Sequence, residues 1–145
     1  MVRNKRRVEA TPEAVWKVLS DGWLYPLWVV GASRMREVEE DWPRPGSRIH
    51  HSVGAWPGLI DDSTQVIDSS EGRWITLQAR EWPFGEAGVT VRVEPLPDGC
   101  SEVSIEEDAS RGPARFIPQP LLEPGLKWRN TESLRRLAYL AERGT

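Results

Sequence analysis

From residue 32 to residue 107 the chain alternates polar and apolar side chains with a period of two, and clusters of turn-forming residues interrupt that alternation at regular intervals. This pattern restricts the possible folds more than any other feature. A period of two sends successive side chains to opposite faces of a strand. Short connections rich in Gly, Pro and Asp join strands that run antiparallel. The spacing predicts strands over Ser33–Glu40, Ser47–Val53, Ile60–Asp68, Arg73–Glu81, Ala87–Glu94 and Ser101–Glu107. The breaks between them are Asp41-Trp42-Pro43-Arg44-Pro45-Gly46, Gly54-Ala55-Trp56-Pro57-Gly58, Ser69-Ser70-Glu71-Gly72, Trp82-Pro83-Phe84-Gly85 and Pro95-Leu96-Pro97-Asp98-Gly99. Residues 2–10 alternate more weakly and make a seventh strand with a basic outer face.

Helical signals flank this meander. Thr11-Pro12-Glu13 is a helix start, with Thr as N-cap, Pro in the first position and an acid beside the dipole. Val15, Val18 and Leu19 follow as an apolar stripe, and Asp21-Gly22 stops the helix. A second short helix or turn covers Trp23 to Leu27. Residues 109–124 carry Gly112, Pro113, Pro118, Pro120 and Pro124, a spacing expected to give a loop with at most one helical turn. The last helix is expected from Pro124 to Arg143. One of its faces carries Leu122, Leu126, Leu134, Leu137, Leu140 and Ala141, and Asn130 and Ser133 sit in the middle of that face. An apolar stripe interrupted by an amide and a hydroxyl suits a helix that covers a cavity.

Length and composition bound the rest. A chain of 145 residues supports one domain, residues 1–145, with a real core. No apolar run approaches the ~20 residues of a membrane span. The basic start, MVRNKRRVEA, leads into no apolar signal region. The single cysteine, Cys100, fits a reducing cytoplasm and reads as a passive thiol. A net charge of −3 argues against nucleic acid as a general partner. Eight tryptophans stand beside only two Phe and two Tyr, which fits either a filled core or a pocket for a flat, greasy molecule.

The order strand, two short helices, six-strand meander and long C-terminal helix resembles the START and Bet v 1-like (SRPBCC) superfamily. Within it the chain looks like a polyketide cyclase/dehydrase-type protein. The residues carrying the resemblance are Thr11-Pro12-Glu13-Ala14-Val15-Trp16, Trp28-Val29-Val30-Gly31, Pro45-Gly46-Ser47 and Arg129-Asn130-Thr131-Glu132-Ser133-Leu134. It implies an α+β helix-grip fold: a seven-strand antiparallel sheet curled around the long C-terminal helix, with two short helices between strands 1 and 2. It also implies a hydrophobic ligand cavity between sheet and helix. It does not imply a reaction.

Strand parity assigns the cavity walls. Ile75, Leu77 and Ala79 point inward, as do Ala87, Val89, Val91 and Val93, and Val103 and Ile105. Glu81 and Glu107 continue the inward parity of their strands. His51 points in and His50 out, and Ile60, Asp62, Thr64 and Val66 are taken as inward. Alternating hairpins put Trp56-Pro57, Trp82-Pro83 and the 109–124 segment at one end of the sheet, as a mouth, with Trp42-Pro43 at the other. The expected ligand-binding set is Trp28, His51, Trp56, Thr64, Leu77, Trp82, Val91, Leu126, Asn130, Ser133 and Leu137.

Signatures for metals, nucleotides and the common hydrolases are absent from the sequence, so neither a metal nor a cofactor is expected. Three functions fit. The first is binding of a small hydrophobic molecule, lipid- or polyketide-like. The second is a cyclase or dehydratase in which His51 is the base and Asn130 and Ser133 bind a carbonyl oxygen. His51 fits a wall histidine bonded to a neighbour better than a base, and Asp62, Glu81 and Glu107, which would join an acid/base set with raised pKa values if buried, fit exposed strand ends better. Arg80 and Arg129 fit surface or rim ion pairs. The third is an interaction module, monomeric or homodimeric, using Trp128 and Tyr139 on the outer side of the last helix beside Glu132, Arg135 and Arg136.

Overall fold

The elements in chain order are β1 (Val2–Val8), α1 (Pro12–Leu19), a 3-10 turn (Gly22–Leu24), α2 (Tyr25–Trp28), β2 (Ala32–Val38), β3 (Arg48–Val53), β4 (Ile60–Ser70), β5 (Trp74–Glu81), β6 (Gly85–Pro95), β7 (Ser101–Arg111) and α3 (Gln119–Arg143). In this computed structural model the described backbone is residues 2–29, 32–53, 60–81, 85–111 and 119–143. Side chains are described for these except at 2, 32–36, 51–53, 60–62, 79–81, 85–87, 108–111 and 119–126. The seven strands form one antiparallel sheet in the order β1-β7-β6-β5-β4-β3-β2. The meander is therefore as expected, with β1 added beside β7. A register shift between Val66 and Asp68 bends β4 and leaves Ile67 exposed beside the buried Val66.

Local chemistry accounts for the first helix. Thr11 accepts a hydrogen bond from the backbone N–H of Ala14 at 3.2 Å, Pro12 opens the helix, and Glu13 and Lys17 lie at the favourable ends of its dipole. Val15, Trp16, Val18 and Leu19 are buried. Thr11→Ala is expected to lower stability by about 1 kcal/mol in urea denaturation, whereas Thr11→Ser should stay within ~0.5 kcal/mol of the parent.

Gly22 has a role beyond stopping α1. A Cβ there would lie 2.8 Å from Cγ1 of Val38 and 3.0 Å from Cγ2 of Ile49, so the 3-10 turn packs on β2 and β3 only because the side chain is absent.

Several boundaries differ from the sequence expectation, most by one or two residues, and three of the differences concern the cavity. β6 starts at Gly85, and β7 continues to Arg111 because Glu86 and Ala87 pair with Arg111 and Ala109. α3 starts at Gln119 rather than Pro124 and has 25 residues, about 37 Å at 1.5 Å per residue. Pro120 falls in the first turn, where its missing N–H would have no partner anyway. Pro124 lacks the N–H that would bond the carbonyl four residues back.

α3 packs against β1, β7, α1 and α2. Leu134, Leu137, Ala138 and Ala141 are buried along it. On its outer side Glu132 accepts from Arg135 and Arg136, and these two bonds hold its carboxyl down at about 2. Asn4 of β1 fixes the rotation of α3 by donating to Oγ1 of Thr131 at 2.8 Å and to the carbonyl of Lys127 at 3.3 Å. With Thr131 held against the edge strand, Asn130 and Ser133 are buried. No helix among the described residues is long and apolar enough to cross a membrane.

Candidate functional site

Two rows of register partners cross the middle of the sheet. One runs Val66, Leu77, Val89, Glu107 and Val2, and the next Thr64, Ala79, Ala87 and Ala109. Over them α2 brings Tyr25 and Trp28, whose rings meet edge to face at 5.7 Å between centroids. The Tyr25 hydroxyl reaches Oγ1 of Thr64 at 3.4 Å, which ties α2 to β4.

Between these elements and α3 lies a cavity of about 60 Å³. It is lined by Tyr25, Trp28 and Val29, by Leu77, Val89, Ile105 and Glu107 of the sheet, and by Arg129, Asn130 and Ser133 of α3.

The walls are mostly apolar or aromatic, with Glu107, Arg129, Asn130 and Ser133 as the polar exceptions. Glu107 is 2% exposed, and one of its carboxylate oxygens, Oε1, accepts from Nη2 of Arg129. The other oxygen, Oε2, is buried and has no hydrogen-bond partner among the described residues. The same is true of Nδ2 of Asn130, which is 4% exposed. Buried polar atoms are nearly always paired, so an unpaired acceptor and an unpaired donor on one small cavity mark a place where a polar group can be received.

Of the residues expected to bind ligand, Trp28, Leu77, Asn130 and Ser133 line this cavity. Thr64, Val91 and Leu137 are fully buried nearby in the core rather than on the cavity wall. Trp56 and Trp82, and the side chains of His51 and Leu126, lie outside the described residues. The register places His51 opposite Asp62, on β3, two strands from β5.

The expected set did not include Tyr25, Val29, Val89, Ile105, Glu107 or Arg129. Parity pointed Val89, Ile105 and Glu107 inward. Glu107 reads as a strand end from its local sequence, but β7 continues four residues beyond it to Arg111. Arg129 does make an ion pair, and Glu107 is its partner.

The tryptophans divide by role. Trp16 is core, and Trp42 is half-buried with its indole N–H on the carbonyl of Leu19 at 3.4 Å. Trp74 donates to Asp68 at 3.1 Å under the guanidinium of Arg92. Trp23 and Trp128 are exposed, as is Tyr139, which stacks with Arg143. A wider groove of about 580 Å³ runs past Trp16, Trp42, Pro43 and Ser69, but it is open to solvent and edged by Glu40, Asp41, Arg44 and Glu71. It contains none of the buried unpaired atoms found under α3.

Cys100 lies apart from the cavity. Its thiol donates to Oε2 of Glu9 at 3.3 Å, within a cluster where Arg7 bridges Glu9 and Asp98. The bond to Glu9, then desolvation and the nearby Asp98 carboxylate, push the thiol above its usual range. Alkylation by iodoacetamide at pH 8 is expected to be slow and to accelerate several-fold in Glu9→Gln, since the thiolate is the reactive form. Equal rates in the two proteins would remove Glu9 as the cause.

Solved structures share this architecture over nearly the whole chain. Protein CV1439 of Chromobacterium violaceum is 23% identical, with 97% of this chain and 96% of that one covered and a TM-score of 0.67. A conserved protein of Geobacillus kaustophilus is 16% identical, with 97% and 94% covered and a TM-score of 0.74. Ara h 8.0201 is 13% identical, with 96% and 95% covered and a TM-score of 0.71. At such identities the likeness shows the fold, which is the Bet v 1-like helix-grip. No curated protein matches the chain. The family described as polyketide cyclase/dehydrase and lipid transport matches residues 1–142, and the chain belongs to it.

Proposed function

We propose that the chain, acting as one domain, binds a small hydrophobic or aromatic molecule, lipid- or polyketide-like, between the sheet and the C-terminal helix. The observation that carries this reading is the cavity under α3, with Trp28, Leu77, Val89 and Ile105 as apolar walls and Glu107, Asn130 and Ser133 as polar ones. The family's description, which includes lipid transport, agrees with it.

Catalysis is less well supported. Cyclisation or dehydration of a poly-carbonyl substrate needs a base at the reacting carbon. His51 sits two strands from the nearest cavity strand, roughly 10 Å at 4.8 Å per strand. Among the described walls only Glu107 could take a proton, so a cyclase reading would transfer the role of base to it.

Titration of the ¹⁵N-labelled protein with 2-naphthol, followed by amide shifts, tests the binding reading. The expected result is saturable shifts centred on Trp28, Val89, Ile105, Asn130 and Ser133, abolished in Ser133→Leu, whose larger side chain fills the cavity. Shifts confined to the outer groove at Trp42, or none up to the solubility limit, would refute it.

A further inference from the structure

We infer that the cavity selects a ligand with a neutral polar end that offers a hydrogen-bond donor beside an acceptor, such as a hydroxyl, a primary amide or a hydroxyl next to a ketone, and that it rejects carboxylates. This rests on the binding reading above and specifies its ligand class. The selecting groups are Oε2 of Glu107, a buried acceptor without a partner, and Nδ2 of Asn130, a buried donor without one. Both residues line the same cavity of about 60 Å³.

Charge decides which head groups fit. Glu107 and Arg129 are the only charged residues on the described cavity wall, and they neutralise each other through Oε1. The cavity therefore has no net positive charge to offer an anion. Oε2 still presents carboxylate lone pairs, which accept N–H or O–H and repel a second carboxylate. Asn130 supplies the complementary donor for a carbonyl or hydroxyl oxygen. On the sheet side the wall residues other than Glu107, namely Leu77, Val89 and Ile105, add no competing polar group. A fatty or aromatic acid would bury an uncompensated charge beside Glu107, whereas the matching amide or alcohol would satisfy both orphaned atoms.

Isothermal titration with 2-naphthamide and 2-naphthoate at pH 7.5 tests this. The two probes share ring and shape and differ only in NH₂ against O⁻. The parent protein is expected to bind the amide at least tenfold more tightly. Asn130→Ala should weaken the amide about tenfold, the loss of one hydrogen bond to a buried donor. Glu107→Gln removes the repulsion, and the ratio of amide to acid affinity should fall at least tenfold. Equal affinities in the parent, or tighter binding of the acid, would overturn the inference while leaving the cavity reading intact. Failure of both naphthyl probes to bind would overturn both. If Glu107→Gln does not fold, the parent ratio and Asn130→Ala still decide the outcome.

Discussion

Leu137→Ala is expected to unfold at a temperature about 10 °C below the parent, a loss of roughly 3 kcal/mol at about 3 °C per kcal/mol for a chain of this size. Leu137 has no exposed surface and sits at the centre of the buried face of α3, between Leu134 and Ala141. Leucine-to-alanine changes in cores span about 2–5 kcal/mol, and the size of the loss depends on how far the surroundings can collapse into the gap. Here collapse is poor. The neighbours on the helix include Ala138 and Ala141, which have no flexible side chain to swing into the hole, and the opposing strands are held by the hydrogen bonds of the sheet. The urea midpoint should fall with an unchanged slope, since the surface exposed on unfolding stays nearly the same. Tyr139→Ala, on the exposed side of the same helix, should change stability by less than ~0.5 kcal/mol. Similar losses in both variants would contradict the orientation of α3.

The sheet was readable in advance because its information is local. A turn cluster and a period of two lie within a dozen residues of each other, and together they specify a meander and the inward positions. Leu77, Val91, Val103 and Ile105 all follow from parity and are all buried. What escaped was decided by partners far away in the chain. Nothing near Glu107 says that β7 runs on to Arg111; the pairing of Ala109 with Ala87 does. Without that extension Glu107 resembles a solvated strand end, and with it the same carboxylate is 2% exposed. Pro120 and Pro124 likewise argue locally for a loop, yet docking of the following helix on β1 and β7 extends α3 back to Gln119. Gly22 carries a turn signal that is correct and incomplete, because the contacts that require a glycine are with Val38 and Ile49, on β2 and β3. Tyr25 is the clearest omission from the expected site. It belongs to a helix of only four residues, too short for a periodic pattern to reveal which way its ring points.

Removing one half of the Glu107–Arg129 pair is expected to damage the fold more than removing both. Arg129→Met should lower stability by about 3–5 kcal/mol, because it leaves a carboxylate that is 2% exposed without its counter-charge. Methionine keeps the length and apolar stem of the arginine, so lost packing contributes little to that figure. Glu107→Gln alone should be milder, since the Arg129 side chain is 25% exposed and its guanidinium retains access to water. The double variant Arg129→Met/Glu107→Gln should recover most of the loss seen in Arg129→Met, giving a coupling of ~2 kcal/mol or more in the thermodynamic cycle. A double variant whose loss equals the sum of the two singles would mean that the pair acts as an exposed one, worth under about 1 kcal/mol. The recovery matters for function as well as stability. An isolated pair of this kind is seldom the most stable way to fill a core. Retaining it under α3 makes sense if Arg129 serves to orient Glu107, with Oε1 occupied and Oε2 left without a protein partner. The double variant should therefore be nearly as stable as the parent and yet fail to distinguish 2-naphthamide from 2-naphthoate.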